Sequence, residues 1–318
     1  MTRCFRAIRL FLALALLVAA AAGASEPMIV AHRAGTADYP ENTLWAIRQS
    51  LVNGADSLWL SVQLSADGVP VLYRPQDLSA LTQARGPVAA HTAATLARLN
   101  AGWNFQRGNA GYVYRRHRHG LGIPSLESAL AMIPAHVPVF LDLKATPAVP
   151  LVDAVAAVLE RRRAWHQVWL YSTEVEFNQA WQRHPYARVM EARDATRTRL
   201  LTMALASRCE HAPTQPTWTA FEVRRPLHVS EHFTLGDGVS AIADAQLWTP
   251  QAVQCFRSAR PQVGILWIGV SSKADYQLAA ALGVDAVMVD SPARARQWKQ
   301  MRAVAATALT TNQTWREK

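Results

Sequence analysis

The sequence predicts an α/β fold, a (β/α)8 TIM barrel with a small insertion after the second strand. Three observations carry this. Short apolar runs of strand length recur, helical patterns lie between them, and about eight such units fill roughly 270 residues. The chain has 318 residues, 50% hydrophobic and 18% charged, with 15 Gly, 17 Pro and 3 Cys, which excludes collagen-like, low-complexity and disulfide-dense classes. No internal repeat or break in composition divides it, so it reads as one domain over residues 25–318.

Taken in order, the first residues are set apart from the fold. Arg3, Arg6 and Arg9 precede an apolar run, Leu10 to Ala22, that ends in Ala22-Gly23-Ala24. A positive start, a short apolar stretch and a small-x-small site read as a signal peptide over 1–24, removed on export, so a periplasmic or secreted product is expected. Cys4 precedes the apolar run and is no lipidation site after it.

Met28–His32 is an apolar strand running into a loop, and Pro40-Glu41-Asn42-Thr43 opens a helix with Leu44, Ile47 and Leu51 on one face. Ser57–Leu64 reads as the second strand, Asp67-Gly68 as a tight turn and Val69–Arg74 as the return. The stretch of about 76–124 is too long for an ordinary connection and reads as an insertion at the barrel mouth. Later strands are expected at Val137–Leu143, Gln167–Tyr171, Ala187–Met190, Val263–Ile268 and Asp285–Val289. Helices are expected at Leu151–Arg163, Glu176–His184, Thr196–Ala206, Ala274–Leu282 and Pro292–Met301. Either Thr217–Val223 or Val239–Ala243 serves as the sixth strand.

Lysine and arginine total 33 against 23 acids, a formal charge of +10. Residues 1–24 hold three of these bases and no acid, which leaves 30 against 23, or +7. This excess favours anionic partners. The run Arg115, Arg116, His117, Arg118 and His119 would suit an anionic membrane surface, or is simply a solvated loop. Arg161-Arg162-Arg163 closes a helix, where positive charge complements the helix dipole. Nucleic-acid binding is not expected, because basic and aromatic residues are not interleaved. In an oxidising compartment Cys209 and Cys255 form a disulfide or remain two buried thiols. Neither has a Cys or His at zinc-ligand spacing.

Barrel chemistry gathers at the C-terminal ends of strands. His32 and Arg33 end the first strand, Arg74 the hairpin, Asp142 and Lys144 the next strand, and Trp267 and Asp290 the last two. Singly, each is more often structural than functional; several cations on one face would suit a phosphate.

These residues stand in the motif order of a known family. Val30-Ala31-His32-Arg33-Ala34-Gly35, Pro40-Glu41-Asn42-Thr43, Val62-Gln63-Leu64 with Asp67-Gly68-Val69-Pro70-Val71, Ile123-Pro124-Ser125-Leu126-Glu127, Phe140–Lys144 and Gly283 to Pro292 follow one another over about residues 28–300. The pattern resembles the glycerophosphodiester phosphodiesterase family. The resemblance implies phosphoric diester hydrolysis by two histidines, acid and base, with a divalent metal held by carboxylates. His32 matches the first histidine. The metal-binding Glu-x-Asp falls on Trp59 and Ser61, the second His-Asp on Arg74 and Pro75, and a further Glu on Asp142.

Tryptophan offers a hard cation no oxygen and serine only a neutral one, so no metal or other cofactor is expected. Arginine stays protonated and cannot cycle as acid and base. The expected site is therefore His32 as catalyst, Arg33, Arg74, Lys144 and Trp267 around a phosphate, and Glu41 and Asp142 as supporting acids. Three readings follow: metal-independent hydrolysis of a small phosphodiester or phospholipid headgroup, a pseudoenzyme that binds one, or an interaction scaffold. The headgroup and the oligomeric state stay open.

Overall fold

A computed structural model describes residues 26–106, 110–116, 119–258 and 262–302. The signal-peptide reading of 1–24 and positions 117 and 118 of the basic run lie outside them.

Eight strands build one curled sheet. Seven run parallel: β1 (Met28–His32), β2 (Ser57–Leu64), β4 (Val139–Leu143), β5 (Val168–Tyr171), β6 (Thr217–Glu222), β9 (Val263–Ile268) and β10 (Ala286–Val289). Their order is β5-β4-β2-β1-β10-β9-β6, and β3 (Pro70–Leu72) pairs antiparallel with β2. The eighth position is taken by a short extended stretch. The Leu170 amide donates to the Arg188 carbonyl and the Met190 amide to the Leu170 carbonyl, both at 2.9 Å, while the Glu191 amide donates to the Trp218 carbonyl at 2.8 Å. The stretch expected at Ala187–Met190 thus bridges β5 and β6 and closes the ring.

Alternation along each strand sorts two layers. Val30, Trp59, Phe140, Tyr171, Leu266 and Met288 fill the barrel, whereas Leu58, Leu60, Leu141, Val287 and Ile265 face the helices. Buried side chains of this size contribute about 1.5–3 kcal/mol each. Helices Leu44–Val52, Ala148–Arg162 and Lys273–Ala281 cover the outside, close to the expected spans. Thr43 and Ser272 cap the first and the last by accepting from the Ala46 and Asp275 amides.

Two open alternatives are decided here. Thr217–Glu222 is the barrel strand, paired in register with Val263–Ile268. The rival Val239–Ala243 lies in β8 (Gly236–Ala245), which with β7 (Arg225–Phe233) forms a separate antiparallel arm. Its strands pair only with each other, and most of their residues are exposed. The insertion holds its own small core of Tyr73, Leu78, Val88, Leu96 and Ile123. Cys209 and Cys255 form a disulfide across 46 residues, which settles the thiol alternative. No helix among the described residues is long and apolar enough to cross a membrane.

Candidate functional site

The loop after β1 sets the geometry of the mouth. Arg33, Ala34 and Gly35 are all left-handed, with φ of 48°, 63° and 87°, an arrangement that costs non-glycine residues energy and that sites tend to retain. Gly35 has a second reason to be glycine. A Cβ there would lie 2.7 Å from Ser50 Oγ and 3.1 Å from Pro292 Cδ. Ser50 Oγ in turn donates to the Ala34 carbonyl at 2.7 Å, and the Ala37 amide donates to the Asp290 carbonyl at 2.9 Å. The first and last barrel loops are thereby tied together.

That tie presents His32 to Asp290. His32 Nδ1 lies 2.6 Å from Asp290 Oδ1, and the hydrogen bond from His32 holds the Asp290 carboxyl below the usual carboxylate range, against some desolvation. A histidine whose Nδ1 is engaged by a carboxylate leaves Nε2 free to exchange a proton.

The other mouth cations are also matched. Arg33 Nη1 donates to Glu41 Oε2 at 2.8 Å, and Thr36 Oγ1 donates to the same oxygen. Lys144 Nζ sits 2.9 Å from Asp142 Oδ1. Burial pushes the Asp142 carboxyl up, and the Lys144 ammonium is the largest influence opposing it. Arg74 differs. It is exposed, and among the described residues it has no ion-pair partner. Gln63 Nε2 donates to the carbonyls on either side of it, Tyr73 at 3.1 Å and Pro75 at 2.8 Å, which fixes the loop to the end of β2. The expected pocket of three free cations is therefore one free cation beside neutralised pairs.

Trp267 does not join the site. It is 0% exposed in the outer core against Trp248, with ring centroids 6.2 Å apart. Its neighbours Leu266 and Ile268 take the inward positions, so the pleat turns its ring toward the helices.

Position 59, where the resemblance places a metal-binding Glu, carries an aromatic ring. The Trp59 ring stands inside the barrel against Tyr171 and Phe140, at centroid distances of 5.0 and 5.9 Å, and its Nε1 donates to Asp142 Oδ2 at 3.4 Å. Ser61 is buried, and its amide donates to Asn42 Oδ1. Among the described residues no three His, Cys, Asp or Glu side chains gather as a metal set. A hard divalent ion, which wants several anionic oxygens, does not fit these residues.

Sequence reasoning missed a fourth pair. Arg193 Nη2 reaches both Glu222 oxygens, at 2.6 and 2.7 Å, and also faces the Tyr171 hydroxyl, whose own titration burial pushes up. Glu222 ends β6, and once that strand is assigned its position marks it as a mouth residue.

Comparison with known proteins bears on this geometry. The model of the Glycerophosphoryl diester phosphodiesterase family matches residues 32–294. The chain is 48% identical over 275 residues to Uncharacterized protein Rv2277c of Mycobacterium tuberculosis (strain ATCC 25618 / H37Rv), covering 86% of this chain and 90% of that one. It is 34% identical over 116 residues to Glycerophosphodiester phosphodiesterase 1 of Homo sapiens, 36% of this chain and 33% of that protein. The crystal structure of the Rv2277c glycerophosphoryl diester phosphodiesterase domain superposes with a TM-score of 0.81 at 46% identity, covering 86% of this chain and all of that one. An Oleispira antarctica phosphodiesterase in complex with the product sn-glycerol-3-phosphate shares the fold, with a TM-score of 0.62 at 19% identity over 86% of this chain and 97% of that one.

Proposed function

The chain belongs to the glycerophosphoryl diester phosphodiesterase family, and from that premise we propose that it acts on a glycerophosphodiester headgroup at the barrel mouth without a divalent ion. The 2.6 Å His32–Asp290 contact carries the reading. Asp290 holds Nδ1, and Nε2 takes a proton from the attacking water as its oxygen bonds to phosphorus. The same nitrogen returns that proton to the leaving alkoxide as the ester P–O bond breaks. Arg74, the free cation at the rim, receives the phosphate charge. A single histidine doing both jobs is slow, because a lost acid–base partner typically costs about 10²–10⁴ in rate.

Turnover of glycerophosphocholine on metal-stripped and metal-loaded protein tests this. Equal turnover in both, abolished in His32→Ala, is the expected result. Product no greater than that of His32→Ala under every metal condition refutes it.

A second reading, recognition without turnover, is favoured by the Trp59 ring where relatives are expected to carry a ligand and by the pairing of Arg33 and Lys144. It predicts that glycerophosphodiesters stabilise the fold by about 2.7 kcal/mol at 100 times Kd, read as a raised melting temperature, and that Arg74→Ala removes the shift. No shift and no turnover would leave the scaffold reading.

Export belongs to the same proposal. The N-terminal pattern and the Cys209–Cys255 disulfide both support an oxidising destination. Contact of 115–119 with anionic headgroups is also part of it. In that run Arg115 is engaged, its guanidinium 3.8 Å from the Tyr112 ring centre and its Nε donating to the Trp103 carbonyl.

A further inference from the structure

Two segments rise from the C-terminal rim of the barrel, the insertion that follows β2–β3 and the β7–β8 arm that follows β6. In the closed ring β2 and β6 stand four positions apart, so these segments flank the mouth from opposite sides, with β1 and its His32 between them.

The arm is rigid at its base. Arg224 Nε donates to Asp275 Oδ1 at 2.9 Å, and its Nη1 donates to Asp244 Oδ2 at 3.0 Å. Leu227 packs against the outer core. The far end is different in kind. Leu235 in the turn is 99% exposed, Phe233 beside it 62% and Val239 65%. The Phe233 ring lies over Gly238, where a Cβ would come within 2.8 Å of it, so glycine lets the ring sit flat along the arm.

The shape of this end selects its occupant. A stable protein interface needs about 800 Å² from each partner, which a two-stranded point with a few apolar residues does not offer. A bilayer closes around a convex apolar tip, and such insertion is reinforced by positive charge against anionic lipid. Without residues 1–24 the chain carries that charge at +7, 30 bases against 23 acids, with Arg115 and Arg116 exposed on the opposite wall of the mouth. Of the carboxylates near the tip, Asp237 is met by His232 at 2.7 Å. Glu231, two residues behind Phe233, marks how deep the tip can go.

We propose that the β7–β8 arm is a membrane-docking finger whose Phe233–Leu235 end enters an anionic lipid surface and turns the barrel mouth toward the headgroups. Docking does not depend on chemistry at His32, so turnover of glycerophosphocholine tests the proposed hydrolysis and the Leu235→Glu comparison tests this proposal.

The test is sedimentation of the protein, purified from the periplasm of an exporting host, with phosphatidylcholine–phosphatidylglycerol vesicles. The expected result is binding that Leu235→Glu and Phe233→Glu each weaken about 10- to 100-fold, with unchanged melting curves because both side chains are largely exposed. Leu235→Trp should keep binding and show a lipid-dependent blue shift quenched by brominated lipid. Three results overturn the proposal: wild-type protein that stays in solution, Leu235→Glu that binds undiminished, or sedimentation velocity showing a dimer that Leu235→Glu abolishes. The last would make the tip a contact between two copies of this chain.

Discussion

Replacing Lys144 with methionine tests whether the mouth is built as described. Asp142 is buried, its carboxyl held 2.9 Å from the Lys144 ammonium and accepting from Trp59 Nε1 at 3.4 Å. At that distance and an effective dielectric constant of about 20, the attraction is about 6 kcal/mol. Water entry and side-chain relaxation recover part of it, so the expected cost of Lys144→Met is about 3–5 kcal/mol. For a chain of this size that is a fall in Tm on the order of 10 °C.

The pH dependence has a definite sign. Burial raises the Asp142 carboxyl above its unfolded value, so the folded state keeps the proton to higher pH than the unfolded chain does. The contribution of Asp142 to stability therefore declines as pH rises above about 4, and Lys144→Met should steepen and extend that decline relative to wild type. Urea melts of wild type, Lys144→Met and Asp142→Asn/Lys144→Met across pH measure this. The double variant should recover most of the loss, since an amide needs no counter-charge. A loss below about 1 kcal/mol, the size of an exposed ion pair, would refute the enclosure of Asp142.

Other outcomes follow from the same geometry. Asp290→Asn should lower any glycerophosphocholine turnover by about 10²–10⁴ by releasing His32 Nδ1, with little change in melting temperature. Gly35→Ala should destabilise by about 1–3 kcal/mol in urea melts, because its Cβ meets Ser50 Oγ at a φ of 87°. Cys255→Ser, which opens the 46-residue loop, should cost about 4 kcal/mol; an unchanged unfolding midpoint would mean that the pair is not bonded in solution.

Much of the barrel was legible in consecutive residues. Met28–His32, Ser57–Leu64 and Val263–Ile268 appear with the expected ends, because strands enclosed on both faces are largely apolar. The sixth strand was not legible. Thr217–Val223 and Val239–Ala243 have similar local propensity, and only pairing with β9 chose between them. That choice also hid Glu222, whose place at the mouth depends on which segment is the strand. Trp267 went astray by one step of the pleat, which is set by how the sheet curls around its contents.

Read alone, the 318 residues determined the alternating architecture, the family and the side chains present at 32, 59, 61 and 74, since motif order and apolar period are properties of neighbouring residues. Folding decided where the charges end up. It joined His32 to Asp290 across 258 positions and Trp59 to Asp142 across 83, and it set the arm opposite the insertion. The physical reason is that an ion pair depends on distance in space, and closing the barrel creates distances that chain separation does not encode.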